Sequence, residues 1–240
     1  MSDSPPASMD PRAGQLGELL RRQGIQDERV LQAIGRTPRE IFVERPFDYA
    51  AYDNSALPIA CGQTISQPYV VAYATQELRV EPNMRVLEVG AGSGYQAAVL
   101  SHLCRKVYAI ERHKPLLREA EARFKALRLE NVVTKHGDGL KGWPEQAPFD
   151  RILLSAAVAA PPLTLIEQLK PQGLLLGPVG SVPNSDEISF PESFSQHLTR
   201  IIRTEAGFEQ ETLIPVMFVP MVTGVPQEPR KPDGKLDRKT

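Results

Sequence analysis

Five consecutive residues, Gly90-Ala91-Gly92-Ser93-Gly94, restrict the chemistry of this chain more than any others. Glycines let a backbone turn sharply and approach a ligand closely, and a helix start offers free N–H groups. A dinucleotide site needs G-x-G-x-x-G, but Tyr95 stands where the third glycine would fall. A P-loop needs a closing Gly-Lys-Ser/Thr, which Ser93-Gly94-Tyr95-Gln96 does not supply. Glu88, two residues before Gly90, adds a carboxylate beneath the loop. S-adenosylmethionine has no phosphate and does carry an ammonium group, which a carboxylate there suits directly or through water. Glu88, Gly90, Gly92 and Gly94 are therefore expected to hold S-adenosylmethionine.

Two further carboxylates follow at regular intervals. Glu111 lies 21 residues beyond Gly90 and closes an apolar stretch, Val107-Tyr108-Ala109-Ile110. A carboxylate there can accept both hydroxyls of a ribose, although nicotinamide dinucleotide sites use the same device and an ion pair with Arg112 is the plainer alternative. Gly137-Asp138-Gly139 makes a tight loop whose aspartate can accept from an adenine amino group, or can simply be a turn aspartate. Three carboxylates at the ends of three successive strands converge on the edge of a sheet where such folds bind ligands.

The surrounding pattern supplies those strands. From Met84 onward, strands at 86–89, 106–110, 132–134, 151–154 and 174–179 alternate with helices at 95–103, 115–129 and 163–169. Leu116, Ala120, Phe124 and Leu127 recur at helical spacing. Stretches 197–203 and 212–221 add further strands. Repeated strand–helix units predict a Rossmann-like α/β fold: a doubly wound, mainly parallel sheet with helices on both faces. A helical N-terminal extension precedes it. Leu16, Leu19 and Leu20 mark one helix, and Asp27 can cap a second carrying Val30, Leu31 and Ile34. Thr37-Pro38-Arg39-Glu40 has the form of a capping box, 46–67 reads as a polar loop, and Pro68 opens a helix with Val71, Thr75 and Leu78 on one face. The expected organisation is one domain over 12–223, helical over 12–83 and sheet-forming over 84–223, between disordered tails at 1–11 and 224–240.

Bulk properties narrow the partners. The chain has 240 residues and a formal charge of −1, so electrostatics give no reason to expect nucleic acid. No apolar run approaches the ~20 residues of a membrane span, and the first residues lack a secretory pattern, so a cytoplasmic protein without membrane contacts is expected. Two cysteines make neither a disulfide framework nor a cysteine zinc site. His102, His113, His136 and His197 lack ligand spacing, so no metal is expected. Trp143 and Pro144 are expected to pack a loop over the turn at 137–139.

Ahead of the sheet lies Gly62-Gln63-Thr64-Ile65-Ser66-Gln67-Pro68-Tyr69. Read alone, Ser66 is a helix cap or its neighbour. A hydroxyl at a helix start could also orient a carboxylate. This segment, with Thr37-Pro38-Arg39-Glu40-Ile41-Phe42-Val43, residues 86–96 and 107–111, Gly137-Asp138-Gly139, Leu169-Lys170-Pro171-Gln172-Gly173, Pro178-Val179-Gly180 and Phe218-Val219-Pro220, resembles the protein-L-isoaspartate O-methyltransferase family over about residues 16–223. The 86–96 stretch is shared by many methyltransferases, whereas Thr64-Ile65-Ser66 is more specific. Gln172 departs from the family, standing where a second glycine is usual.

The resemblance implies methylation of the free α-carboxylate of L-isoaspartyl residues in damaged proteins and peptides; a monomer is the default expectation. The resemblance places Thr64 and Ser66 against the reacting carboxylate, and Gln63 and Ile65 beside the methyl donor. Glu88 and Gly90 would line its methionine part, Glu111 its ribose, and Asp138 with Gly139 its adenine. The acceptor is ionised at neutral pH, so alignment rather than a strong base is required. Two other readings stay open: a methyltransferase for another acceptor, and a cofactor-binding fold that serves as an interaction module.

Overall fold

The computed structural model describes residues 10–181 and 196–226. Most of the two tail assignments, 1–9 and 227–240, lies outside them. The first helix, α1 (Pro11–Arg22), begins inside the stretch assigned to the N-terminal tail, because the Asp10 carboxylate accepts from the Arg12 N–H and Pro11 presets the first turn. Leu16 and Leu20 face the core. Asp27 caps α2 (Glu28–Arg36), which buries Val30, Leu31, Ala33 and Ile34. Fully burying an aliphatic side chain contributes roughly 1.5–3 kcal/mol. Apolar burial of this kind, rather than helix propensity, holds two such short helices.

Thr37 does not start a helix. Its hydroxyl donates to the Ala33 carbonyl at 2.8 Å and so closes α2. With that hydroxyl used, Arg39–Phe42 forms only a 3₁₀ turn without a side-chain cap, and Glu40 accepts from the Tyr52 hydroxyl instead. The expected loop at 46–67 contains a hairpin, β1 (Leu57–Ile59) and β2 (Gln63–Ile65), whose turn places Cys61 at φ +59°. Strands of three residues are too short for alternation to reveal. Next comes α3 (Pro68–Glu77), with Val71, Thr75 and Leu78 buried as its spacing predicts.

The sheet-forming half follows in order: β3 (Arg85–Val89), α4 (Tyr95–Ser101), β4 (Lys106–Glu111), α5 (Lys114–Ala126), β5 (Val132–His136) and β6 (Phe149–Leu154). After these come α6 (Leu163–Ile166), β7 (Leu169–Gly180), β8 (Gln196–Thr204) and β9 (Gly207–Val216). The strands form one seven-stranded sheet in the order β5-β4-β3-β6-β7-β8-β9. Its first five positions are parallel; β8 and β9 return antiparallel. The expected helix at 163–169 is a single turn, because Leu169 pairs with Phe149 and already belongs to β7. Early in β7, Gln172 adopts φ +62°, the left-handed region that favours glycine, and this is the position where the family pattern has one.

Two hydrophobic clusters cover the sheet. Val86, Val107, Leu153 and Leu174 face the side of α1–α5, while Leu87, Tyr108, Ile152 and Leu175 face the other. Side chains alternate along a strand, so Glu88 shares the face of Val86. From β3 the chain winds outward through β4 and β5, then returns to β6 on the other side of β3. That reversal opens a crevice at the carboxyl ends of β3 and β6, where ligands bind in open α/β sheets.

Candidate active site

The glycine loop leaves β3 at this crevice. The N–H groups of Gly90 and Ala91 both donate to the Ile110 carbonyl, at 2.9 and 3.0 Å, folding the loop over the end of β4. The Gly92 N–H donates to Glu111 Oε2 at 2.8 Å. Glu111 Oε1 accepts from the His113 N–H at 2.8 Å. Two backbone donors thus fix the carboxylate, and each oxygen retains a lone pair for a further donor. Gly90, Gly92 and Glu111 border a cavity of about 710 Å³.

Two predicted glycines are required by close packing. A β-carbon on Gly139 would lie 2.4 Å from Val89 Cγ1, so only glycine lets this turn sit against β3 at the cavity wall. Gly94, at φ +89°, would press a β-carbon to 2.8 Å from the Phe124 ring; it brings α4 and α5 together and does not border the cavity.

Glu88 lies fully buried beneath the loop. Its Oε1 accepts from the Ser155 hydroxyl at 3.2 Å, whereas Oε2 has no hydrogen-bond partner. It borders a small cavity of about 50 Å³ that shares Thr64, Ser66, Gly90 and Ser155 with the larger one. Burial, more than the nearby Glu111 charge, pushes the Glu88 carboxyl up to about 8, against the pull of Ser155. A buried carboxylate oxygen without a donor calls for a cationic partner. The ammonium of S-adenosylmethionine fits that need.

The hairpin supplies the other border. Gln63, Thr64 and Ser66 line the large cavity, while the Ile65 side chain is buried in the core and reaches only the small one. Ser66 is not the cap of α3: Gln67 occupies that position without a side-chain bond. The Ser66 carbonyl accepts from Arg39 Nη2 at 2.7 Å, and the residue lines both cavities.

Asp138, expected beside the adenine, is held by two backbone donors, as Glu111 is. Its Oδ1 accepts from the Leu140 N–H at 3.0 Å and its Oδ2 from the Gly224 N–H at 2.8 Å, and it does not line the cavity. It secures its own turn and the C-terminal segment. Arg112 Nε donates to the Gly224 carbonyl at 3.1 Å, so Gly224 is held from both sides. Trp143 also lies away from the cavity, edge-on to Tyr108 with ring centroids 5.6 Å apart.

Sequence reasoning missed two contributors. Ser155, at the end of β6, borders both cavities, and its place beside the switch point was the available signal. Residues 215–222 form a strap along the large cavity. The strap is anchored by Phe218 N–H to Gln196 Oε1 at 2.7 Å and by paired 2.8 Å bonds between Ala157 and Val219 and between Met221 and Ala157. Only the short Phe218-Val219-Pro220 motif hinted at it.

A doubly wound sheet with a glycine loop and buried carboxylates at its switch point defines the Rossmann-like methyltransferase class. Residues 12–226 match the family model described as Protein-L-isoaspartate(D-aspartate) O-methyltransferase (PCMT). The chain is 53% identical over 219 residues to the protein-L-isoaspartate O-methyltransferase of Paramagnetospirillum magneticum, covering 91% of this chain and 98% of that one. It is 54% identical over 209 residues to that of Parvibaculum lavamentivorans, covering 87% and 90%. A solved protein-L-isoaspartate O-methyltransferase superposes with a TM-score of 0.75 at 27% identity; the match covers 87% of this chain and 65% of the solved chain. A Plasmodium falciparum structure in complex with S-adenosyl-L-homocysteine superposes at 0.74 and 24% identity, covering 89% and 99%, and shares the fold. The chain belongs to the protein-L-isoaspartate (D-aspartate) O-methyltransferase family.

Proposed function

We propose that this protein transfers a methyl group from S-adenosylmethionine to the free α-carboxylate of L-isoaspartyl residues in damaged proteins and peptides, leaving an ester that collapses to a succinimide. The observation that carries this reading is one cavity bordered both by the hydroxyl-bearing hairpin end, Thr64 and Ser66, and by the glycine loop with Glu111. When bound there, S-adenosylmethionine supplies a methyl group on a sulfonium, open to in-line displacement by a carboxylate.

The chain's own residues bind and align. Glu88 Oε2 provides the counter-charge for an ammonium, and Glu111 offers two prefixed oxygens to a pair of hydroxyls. Gly139 leaves room for a flat ring beside Val89; Asp138 supports it from behind by holding the turn. Ser66, with Thr64 beside it, donates to the acceptor carboxylate and fixes its attacking oxygen. The acceptor is ionised at neutral pH, so no residue has to remove a proton. The strap at 215–222 excludes water from the reacting groups.

We place this activity in a monomer of the cytoplasm. Both cysteines are free with Cys61 exposed, and among the described residues no helix is long and apolar enough to cross a membrane. The test is incubation with methyl-labelled S-adenosylmethionine and two peptides that differ only in aspartyl against isoaspartyl linkage. Label on the isoaspartyl peptide alone is expected; label on neither, or on both equally, would overturn the acceptor assignment.

A further inference from the structure

Arg39 is the largest fully buried side chain in the described protein, yet it touches no cofactor-side carboxylate. Burying a guanidinium is costly unless its donors are used. Here Nε donates to the Ala51 carbonyl at 2.9 Å and Nη2 to the Ser66 carbonyl at 2.7 Å. The guanidinium also lies over the Tyr95 ring, 4.7 Å from its centroid. Tyr95 is the first residue of α4, directly after the glycine loop. Three segments distant in sequence therefore meet on one planar group: the loop at Ala51, the residue bearing the acceptor-side hydroxyl, and the helix that follows the donor-side loop.

We propose that Arg39 is a positioning residue that sets the distance and direction between Ser66 and the glycine loop, and with them the line of methyl transfer. Displacement at a methyl group demands a near-linear approach, and a shift of an ångström at the reacting atoms can cost about 100-fold in rate. The backbone carbonyl of Ser66 is the handle. Fixing it fixes where the side-chain hydroxyl points, while the stack on Tyr95 refers that position to the donor side. A lysine cannot replace this arrangement: a single ammonium can reach one carbonyl but lacks the flat fork that spans two and the face that lies on a ring. This inference rests on the proposed role of Ser66.

The test compares Arg39→Lys, Ser66→Ala, their double variant and Leu20→Ala in the full chain, measuring kcat and KM on an isoaspartyl peptide, cofactor Kd and thermal midpoint. Leu20 is fully buried in α1, away from the cavity, and reports the effect of lost stability alone. Arg39→Lys is expected to lower kcat about 10- to 100-fold, with cofactor Kd within about 2-fold of the parent. Leu20→Ala should keep kcat near normal. The double variant should lose less than the product of the two single losses, because both changes act on one alignment. Should Arg39→Lys not fold, Arg39→Gln buries no charge, still offers a donor to one carbonyl and carries the same expectation. Normal kcat in the Arg39 variant beside an impaired Ser66→Ala would overturn the positioning role alone, as would losses that multiply fully in the double variant. Full activity in Ser66→Ala would instead overturn the role of Ser66 and this inference with it.

Discussion

Cofactor binding should expel a proton from Glu88. With its pKa pushed up to about 8 by burial, the carboxyl is about 90% protonated at pH 7 in the cofactor-free protein. An ammonium placed against the unpartnered Oε2 stabilises the ionised form and draws its pKa down. Binding at pH 7 should then release about 0.9 proton, falling to about 0.1 from this group at pH 9. Titration calorimetry in two buffers of different ionisation enthalpy reads the number directly. Glu88→Gln keeps the shape, removes the titrating group and should abolish the release. No proton release by the parent at pH 7, or equal release by Glu88→Gln, would refute the pairing of Glu88 with the cofactor ammonium. The same group makes the cofactor-free protein pH-sensitive in a defined direction. Its folded pKa lies above the ordinary value of 4.5, so the folded state holds a proton that the unfolded chain has shed. Its stabilising effect is complete below about 4.5 and is lost as pH rises toward 8 and beyond, by a few kcal/mol at most. Urea midpoints should therefore fall between pH 5 and 8.5 more in the parent than in Glu88→Gln.

Other consequences are more local. Ser66→Ala should lower turnover on isoaspartyl peptide while calorimetric cofactor affinity stays nearly unchanged; a parallel loss of affinity would move Ser66 to the cofactor's side. Arg112→Ala removes one of the two bonds on Gly224, so labelled S-adenosylhomocysteine should dissociate about 2- to 10-fold faster in a chase experiment. An unchanged rate would show that the strap does not control release. Gln172→Gly relieves a left-handed residue, worth about 1–3 kcal/mol, against a glycine entropy cost of about 0.5–1 kcal/mol. The net gain of about 1 kcal/mol should raise the melting temperature by about 2–4 °C. A fall in melting temperature would mean that the Gln172 side chain contributes more than its backbone strain costs.

Much of this protein was legible in the sequence because the governing physics is local. Helical spacing in 116–127 gave α5, Asp27 gave the start of α2, and the strand–glycine–helix order at 86–101 gave the crevice and its cofactor. These features depend on periodicity, caps and positive φ, which neighbouring residues settle among themselves. Tertiary structure decided what each polar group does. Asp138 reads as a ligand for adenine, and only the fold shows that Gly224, 86 residues later, also donates to it. Gly94 reads as part of a cradle, but the Phe124 ring across the fold claims its space. The meeting of Arg39 with Ser66 and Tyr95 carries no local signature at all, and the strap at 215–222 carries only the short Phe218-Val219-Pro220 motif. A hydrogen-bond donor or lone pair belongs to whichever partner the packed chain brings within 3 Å, and contacts between residues tens of positions apart fix that choice.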